Sequence, residues 1–328
     1  MMIAWAALCA VASAALLAIL LRTGWAWRIA ADHPNERSLH VRVTPRVGGL
    51  GLMLGVGVGA AAAHDVALTS LCACALALAA LSLADDRRGL PIAWRFAAHW
   101  LAAAVAVAVI FGAQGAWAAG GVGVLACVWM SNLYNFMDGA DGMAGGMALI
   151  GFGTLACMQP GSPLSWVAVC IAGAAGGFLI FNWHPARVFM GDCGSVPLGF
   201  LAAALGLAGI AQGSWPWWFP WWVFAPFIAD ASVTLLRRAL RGERIWLAHR
   251  EHYYQRVIRL GASHAHAAAL WYGAMLVSAG SAAWAVRADD ARIVWVLAGA
   301  VTTGFVAAAV AIDWRWRRHL MREEAAHA

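Results

Sequence analysis

Apolar residues run through this chain in about eleven stretches of near 20 residues, the length an α-helix rising 1.5 Å per residue needs to cross a bilayer. The stretches lie near 3–21, 47–64, 66–84, 95–111, 117–134, 143–159, 163–181, 196–212, 215–235, 267–286 and 293–312. Ten is the alternative count, because 112–124 is weakly apolar and the glycine-rich run 48–59 is loosely specified. The sequence therefore predicts an all-α, polytopic integral membrane protein with one membrane-embedded domain over 1–328. A hydrophobic fraction of 63%, a charged fraction of 12% and a mean hydropathy of +0.71 exclude an ordinary soluble domain. No basic residue precedes the first apolar run, which predicts an uncleaved first span and not a signal peptide.

All 22 basic side chains are arginine, and their placement predicts the orientation. With eleven spans, the alternate segments 22–46, 85–95, 135–142, 182–195, 237–266 and 313–328 fall on one side and hold every arginine except Arg287 and Arg292. The positive-inside bias makes that side cytoplasmic, with the N-terminus outside and the C-terminus inside. The basic balance reads as this bias plus attraction to anionic membrane lipid, and no nucleic-acid partner is expected. The seven cysteines show no metal-ligand spacing and read as small buried hydrophobes. Trp215, Trp217, Trp218, Trp221 and Trp222, like Trp314 and Trp316, read as interfacial belts.

Five aspartates, Asp85, Asp86, Asp138, Asp141 and Asp192, sit in three of the cytoplasmic segments. A carboxylate in a span centre costs about 2.5–3.5 kcal/mol, so carboxylates gathered at span ends need water or a cation. Asp85-Asp86-Arg87-Arg88 places two carboxylates side by side, about 100° apart if helical, so one can ligate or position while the other accepts a proton. In Asn132-Leu133-Tyr134-Asn135-Phe136-Met137-Asp138-Gly139-Ala140-Asp141-Gly142 polar groups recur every three residues, so Asn135 and Asp138, or Asp138 and Asp141, can reach one ligand. Asn182-Trp183-His184-Pro185-Ala186-Arg187-Val188-Phe189-Met190-Gly191-Asp192 brings Asp192 between glycines with Arg187 nearby, an exposure suited to magnesium shared with substrate phosphates.

Two further segments offer cations. Asp32 to Gly49 carries Arg46 before a Gly-Gly break, and an arginine fork suits phosphate oxygens. His249-Arg250-Glu251-His252 lies in the longest cytoplasmic segment, where an i, i+3 histidine pair without a third ligand reads better as a phosphate or sugar contact than as a zinc site. Asp230, within a span, is an intramembrane carboxylate and so a functional candidate.

Over residues 32–260 these segments, in this order, resemble the polyprenyl-phosphate N-acetylhexosamine-1-phosphate transferases, glycosyltransferase family 4. The resemblance rests on Asp-Asp, Asn-x-x-Asn-x-x-Asp-Gly-x-Asp-Gly, Phe-Met-Gly-Asp-x-Gly-Ser and the His-Arg-x-His loop. It implies transfer of a sugar-1-phosphate from a UDP-N-acetylhexosamine to undecaprenyl phosphate with release of UMP, and Mg2+, or Mn2+, as cofactor. It further implies Asp192 and Asn135 at the metal, and Asp85 and Asp86 as base or lipid-phosphate positioners. Asn135, Asp138 and Asp141 are implied as nucleotide, sugar and metal-site residues, and Asp138 and Asp141 are expected to be catalytic with Asp85 and Asp86. Arg46, Asn132, Asn135, Arg187, His249, Arg250 and His252 are expected to bind the substrate. The His-Arg-x-His loop is similar to the branch that initiates O-antigen and other surface glycans, which implies a bacterial inner membrane with the site on its cytoplasmic face. His184 and Arg187 stand where proline and lysine are expected. A homodimer is a further partner to test. The rival class is a transporter or flippase of nucleotide sugar or lipid-linked sugar, which needs polar groups at the bilayer midplane and paired interrupted helices; the sequence shows no convincing internal repeat.

Overall fold

The computed structural model describes residues 1–32, 42–112, 117–245, 247 and 249–327. Residues 33–41 of the first arginine segment lie outside the described residues. Among the described residues the regular elements are helices, apart from one two-strand ribbon. In order it runs α1 (Met2–Arg22), α2 (Trp25–Ile29), β1 (Ala31–Asp32), β2 (Thr44–Pro45), α3 (Gly48–Ala63), α4 (Val66–Arg88), α5 (Ile92–Phe111), α6 (Trp117–Phe136) and α7 (Met143–Met158). It continues with α8 (Pro163–Asn182), α9 (Asp192–Ala211), α10 (Phe219–Val223), α11 (Ala225–Leu240), α12 (Tyr253–Arg259), α13 (His264–Ala288) and α14 (Ala291–His327). β1 and β2 pair antiparallel, with Ala31 opposite Pro45 and Asp32 opposite Thr44.

Seven of these helices are long and apolar enough to cross a membrane: α1, α4, α5, α8, α9, α13 and α14. α3 and α7 are shorter apolar helices. The stretch expected as one span over 215–235 is broken into α10 and α11 at Phe224. Pro226 is the cause: its nitrogen has no hydrogen to donate and its ring collides with the carbonyl four residues back, so the ladder from α10 cannot continue. Trp215 also departs from the interfacial reading. It is buried, and its indole donates to the Gly206 carbonyl at 3.1 Å.

α9 is the central post. Its apolar window is 94% buried, against 6% for α14 at the periphery, and it packs on α3, α4, α5 and α6. A helix apolar on all sides belongs in such a centre. α8 packs on α1, α3 and α7, and small residues let the backbones approach. A Cβ at Gly173 or Gly177 would run into the α1 backbone at Ala6 and Ala10. Polar caps set several helix starts: Asp65 accepts from the Leu68 amide at 2.8 Å, and Ser263 from the His266 amide at 3.1 Å. The β1–β2 ribbon, the end of α4, the α6–α7 turn and the α8–α9 loop meet at one end of this bundle. There Gly48 and Gly49 donate to the Phe189 and Met190 carbonyls, both at 2.9 Å, while Phe189 donates to the Pro45 carbonyl at 2.9 Å.

Candidate active site

The Gly-Gly break at the start of α3 is packed against the start of α9. A Cβ on Gly49 would collide with the backbone at Cys193 and Gly194, so only glycine allows this approach. Arg46, three residues earlier, is thereby carried to the loop before Asp192. Gly191 takes the left-handed φ of 71°, turning the chain so that Asp192 is the first residue of α9, where the helix dipole favours a carboxylate.

Arg95, in the first turn of α5, joins two of the aspartate segments. One guanidinium nitrogen lies 2.9 Å from Asp85 Oδ2 and the other 3.2 Å from Asp192 Oδ2. Asp85 Oδ1 also accepts the Leu90 amide at 2.6 Å, closing the end of α4. Its neighbour Asp86 is different: Oδ2 is buried and has no hydrogen-bond partner among the described residues, although it lies in the field of Asp192, Arg46, Asp85 and Arg95. From α6, Asn135 Oδ1 accepts the Ser195 hydroxyl at 2.7 Å, and the Asn135 side chain also hydrogen-bonds Asp192.

Asp138 follows on the α6–α7 turn. Burial pushes its carboxyl well above the usual carboxylate range, Asp192 and Asp141 add to this, and Arg46 opposes it. Burial works against the Arg46 charge, but the hydrogen bond from Arg46 to Asp32 (2.6 Å) and the fields of Asp32, Asp86 and Asp192 outweigh it and raise its pKa. Asp85, Asp86, Asp138, Asp192, Asn135, Arg46 and Arg95 thus form one group.

Asp141 turns to a second group. Its Oδ2 lies 2.7 Å from His184 Nδ1 and accepts the Ala186 amide at 3.1 Å, while Oδ1 is 3.5 Å from His264 Nδ1. Burial would raise the Asp141 carboxyl, but the bonds from His264, His184 and Ala186 outweigh it and hold it below the usual range. The two imidazoles stack with centroids 5.6 Å apart. Buried Asn182 ties this loop to the α6–α7 turn, accepting the Gly142 amide and donating to the Val188 carbonyl, both at 2.9 Å.

The remaining expected residues divide. His252 is buried, its ring stacked against Phe136 at 6.1 Å and Tyr254 at 5.9 Å, with His249 at 4.9 Å. Burial, and then the His252 and Arg238 charges, lower the His249 pKa to about 4. Arg250 stands beside them, its carbonyl 3.5 Å from an Arg259 nitrogen. Arg187 and Asn132 are engaged elsewhere. The Arg187 guanidinium donates to the Ile180 carbonyl at 3.0 Å and covers the Phe181 ring, and Asn132 donates to Val128 in its own helix at 2.7 Å.

Sequence reasoning missed Arg95 and His264 as site residues. A lone arginine ten positions beyond Asp85, opening an apolar stretch, was the available signal for the first. His264 shows only as a histidine after a Ser cap.

Two donor sets could hold a metal. The carboxylates of the first group offer hard oxygens, and the orphaned Asp86 oxygen fits a cation among them. Asp141, His184 and His264 have ligand atoms within 4.8 Å of one another, a mixed oxygen and nitrogen set suited to softer ions.

The glycosyl transferase family 4 model matches residues 68–210, which contain all five aspartates. The chain is 29% identical over 280 residues to the probable undecaprenyl-phosphate N-acetylglucosaminyl 1-phosphate transferase of Bacillus subtilis, covering 76% of each chain. It is 28% identical to the decaprenyl-phosphate N-acetylglucosaminephosphotransferase of Mycolicibacterium smegmatis, covering 87% of this chain and 83% of that one. A local stretch of 78 residues is 50% identical to the phospho-N-acetylmuramoyl-pentapeptide-transferase of Thermosynechococcus vestitus, 24% of this chain and 21% of the other. With its aspartate motifs in order on an all-α membrane fold, the chain belongs to glycosyl transferase family 4, the polyprenyl-phosphate N-acetylhexosamine-1-phosphate transferases.

Proposed function

We propose that this protein transfers a sugar-1-phosphate from a UDP-N-acetylhexosamine to undecaprenyl phosphate, releasing UMP, at the cytoplasmic face of a bacterial inner membrane. The observation that carries the reading is the convergence of Asp85, Asp86, Asp138 and Asp192 at one end of the bundle, bracketed by Arg46 and Arg95, with one Asp86 oxygen unpartnered among the described residues. Its similarity to the probable undecaprenyl-phosphate N-acetylglucosaminyl 1-phosphate transferase of Bacillus subtilis and to the decaprenyl-phosphate N-acetylglucosaminephosphotransferase of Mycolicibacterium smegmatis supports it.

In the proposed step a lipid-phosphate oxygen attacks the sugar-bearing phosphorus of the donor. The bond from that phosphorus to the bridging oxygen breaks, the bridging oxygen leaves with UMP, and a new diphosphate joins sugar and lipid. Both reactants are anions, so charge neutralisation and alignment must supply the catalysis. Magnesium, when bound, would supply Lewis-acid stabilisation of the diphosphate oxygens, and Asp192, Asp86 and Asn135 are the residues that would hold it. Arg95, placed between Asp85 and Asp192, holds both carboxylates in orientation, and Arg46 presents a cation to the same group. Asp138, kept toward its protonated form by burial, can hold or pass a proton beside them. A phospho-aspartyl route is the alternative to direct attack. The reading needs no second copy of the chain.

We assign the enzyme to the branch that starts O-antigen or a related surface glycan, on its His-Arg-x-His loop. Purified protein given undecaprenyl phosphate, Mg2+ and a panel of UDP-sugars should release UMP and not UDP. Excess UMP should regenerate UDP-sugar from the lipid product. Uptake of labelled nucleotide sugar into sealed vesicles without UMP would establish a transporter instead. For orientation, cysteine at the exposed Arg88 in a cysteine-free background should resist an impermeant thiol reagent in intact cells and label after lysis.

A further inference from the structure

Asp230 lies in α11, buried, and belongs to neither group of aspartates described above. Its carboxylate faces the chain entering α12. Oδ1 accepts the Tyr253 amide at 2.8 Å and Oδ2 the Tyr254 amide at 3.2 Å, while the Thr234 hydroxyl and His252 Nδ1 each lie 3.4 Å from Oδ1. A buried carboxyl group is an expensive way to attach a short helix, since it gives up hydration that an apolar contact never needed. What it provides in return is direction: two backbone amides held at once fix the orientation of residues 253 and 254.

That orientation matters because of what Tyr254 reaches. Its hydroxyl donates to the Phe136 carbonyl at 3.1 Å, at the last residue of α6, and is supported by the Gln255 amide group at 3.1 Å. It also stands so close to Gly139 that a Cβ there would collide with the phenol oxygen. The His252 ring lies against Phe136 and Tyr254. Phe136 and Gly139 flank Asp138. A single carboxylate on α11 therefore sets the residues that brace both the His249–His252 loop and the turn carrying Asp138.

We infer that Asp230 is a positioning residue for the transfer reaction, acting through the Tyr253 and Tyr254 amides and the Tyr254 hydroxyl to place Asp138 and His252. The inference rests on the transferase reading above. α12 has a second anchor that makes the natural control. Asp313 of α14 accepts Arg256 at 2.8 Å and the Tyr253 hydroxyl at 3.3 Å; among the described residues it makes no hydrogen bond or ion pair to the Asp138 turn.

The test compares Asp230→Ala, Asp230→Asn, Tyr254→Phe and Asp313→Asn as full-length purified proteins. UMP release is followed from UDP-N-acetylglucosamine, or whichever panel member the wild type turns over, alongside melting temperature. Asp230→Ala should lower kcat on the order of 10- to 100-fold, the scale of a small misplacement of reacting groups, with a smaller change in KM. Asp230→Asn keeps a carbonyl oxygen for one amide and should recover part of that loss. Tyr254→Phe should lower kcat with little change in melting temperature, and it carries the test if Asp230→Ala does not fold. Asp313→Asn should lower melting temperature with kcat near wild type. The inference is overturned if Tyr254→Phe turns over at the wild-type rate, or if folded Asp230→Ala does. Wild-type protein that yields no UMP would defeat the transferase reading itself, which is a different result from equal turnover by all four variants.

Discussion

Two clusters of charge stand at the same end of this bundle and are built oppositely. In the aspartate group, Asp85, Asp86, Asp138 and Asp192 share two nearby cations, Arg46 and Arg95, and Arg46 is already bonded to Asp32. One Asp86 oxygen has no hydrogen-bond partner among the described residues. In the cluster where α11, α12 and α14 meet, Arg237, Arg238, Arg241 and Arg256 outnumber Glu243, Glu251 and Asp313, and all three carboxylates are paired. Arg237 reaches Asp313 through two nitrogens at 2.9 and 2.6 Å, a fork geometry that fixes two helices to each other. Carboxylates crowded without enough cations raise the energy of the folded state and await a ligand. Carboxylates matched by arginines hold a fold together. The difference separates chemistry from architecture among residues that composition alone treats alike.

The largest expected effect breaks that comparison at its functional side. Asp192→Asn and Asp86→Asn each remove a negative charge from the crowded group with little change of shape. Turnover should fall on the order of 100-fold or more, the scale seen when one electrostatic contributor to a transition state is removed. Melting temperature should hold or rise, because a source of repulsion is gone. Activity of the wild type should disappear in excess chelator and return with Mg2+. Full turnover by either mutant, or by wild type in chelator, would remove the metal assignment.

An intermediate effect is expected on the architectural side. Asp313→Asn deprives Arg237 and Arg256 of their shared carboxylate and should cost on the order of 1–2 kcal/mol, limited by the solvent exposure of Arg237. Thermal unfolding in detergent should show a drop of a few degrees. Turnover should stay within about threefold of wild type, the range of a change outside the reacting group. If Asp313→Asn were as inactive as Asp192→Asn, the two clusters would be one functional unit and the contrast would fail.

The membrane made much of this fold legible, since a bilayer leaves a long apolar stretch little choice but helix. Each expected stretch has a helical counterpart, and the one break, at Phe224, is hidden because Pro226 is embedded in tryptophan and phenylalanine that read as continuous apolar length. The site was legible as a set of loops but not as a geometry. Arg95 meets Asp192 across 97 residues of chain, a pairing that no local spacing encodes. Asp138 and Asp141, three apart, look like partners for one ligand, yet Asp141 turns to His184 and His264. Arg187 has the residue type expected of a phosphate contact and makes its bond to the Ile180 carbonyl, because the loop after α8 folds back on its own helix.

The smallest effect concerns where the two clusters adjoin. His249 stands between them, beside His252 and within the field of Arg238, and burial with those charges lowers its pKa from 6.5 to about 4. The folded protein therefore keeps this imidazole neutral over a range in which the unfolded chain protonates it. A depressed folded pKa contributes stability that is present above the unfolded value and lost as pH falls through the folded one. Wild-type melting temperature should thus decline between pH 6.5 and about pH 4 in part through His249. His249→Gln cannot take up that proton in either state, so its decline over the same window should be shallower, and relative to their offset at neutral pH the two curves should diverge most toward pH 4. Parallel curves for mutant and wild type would show that His249 is open to solvent and belongs to neither cluster.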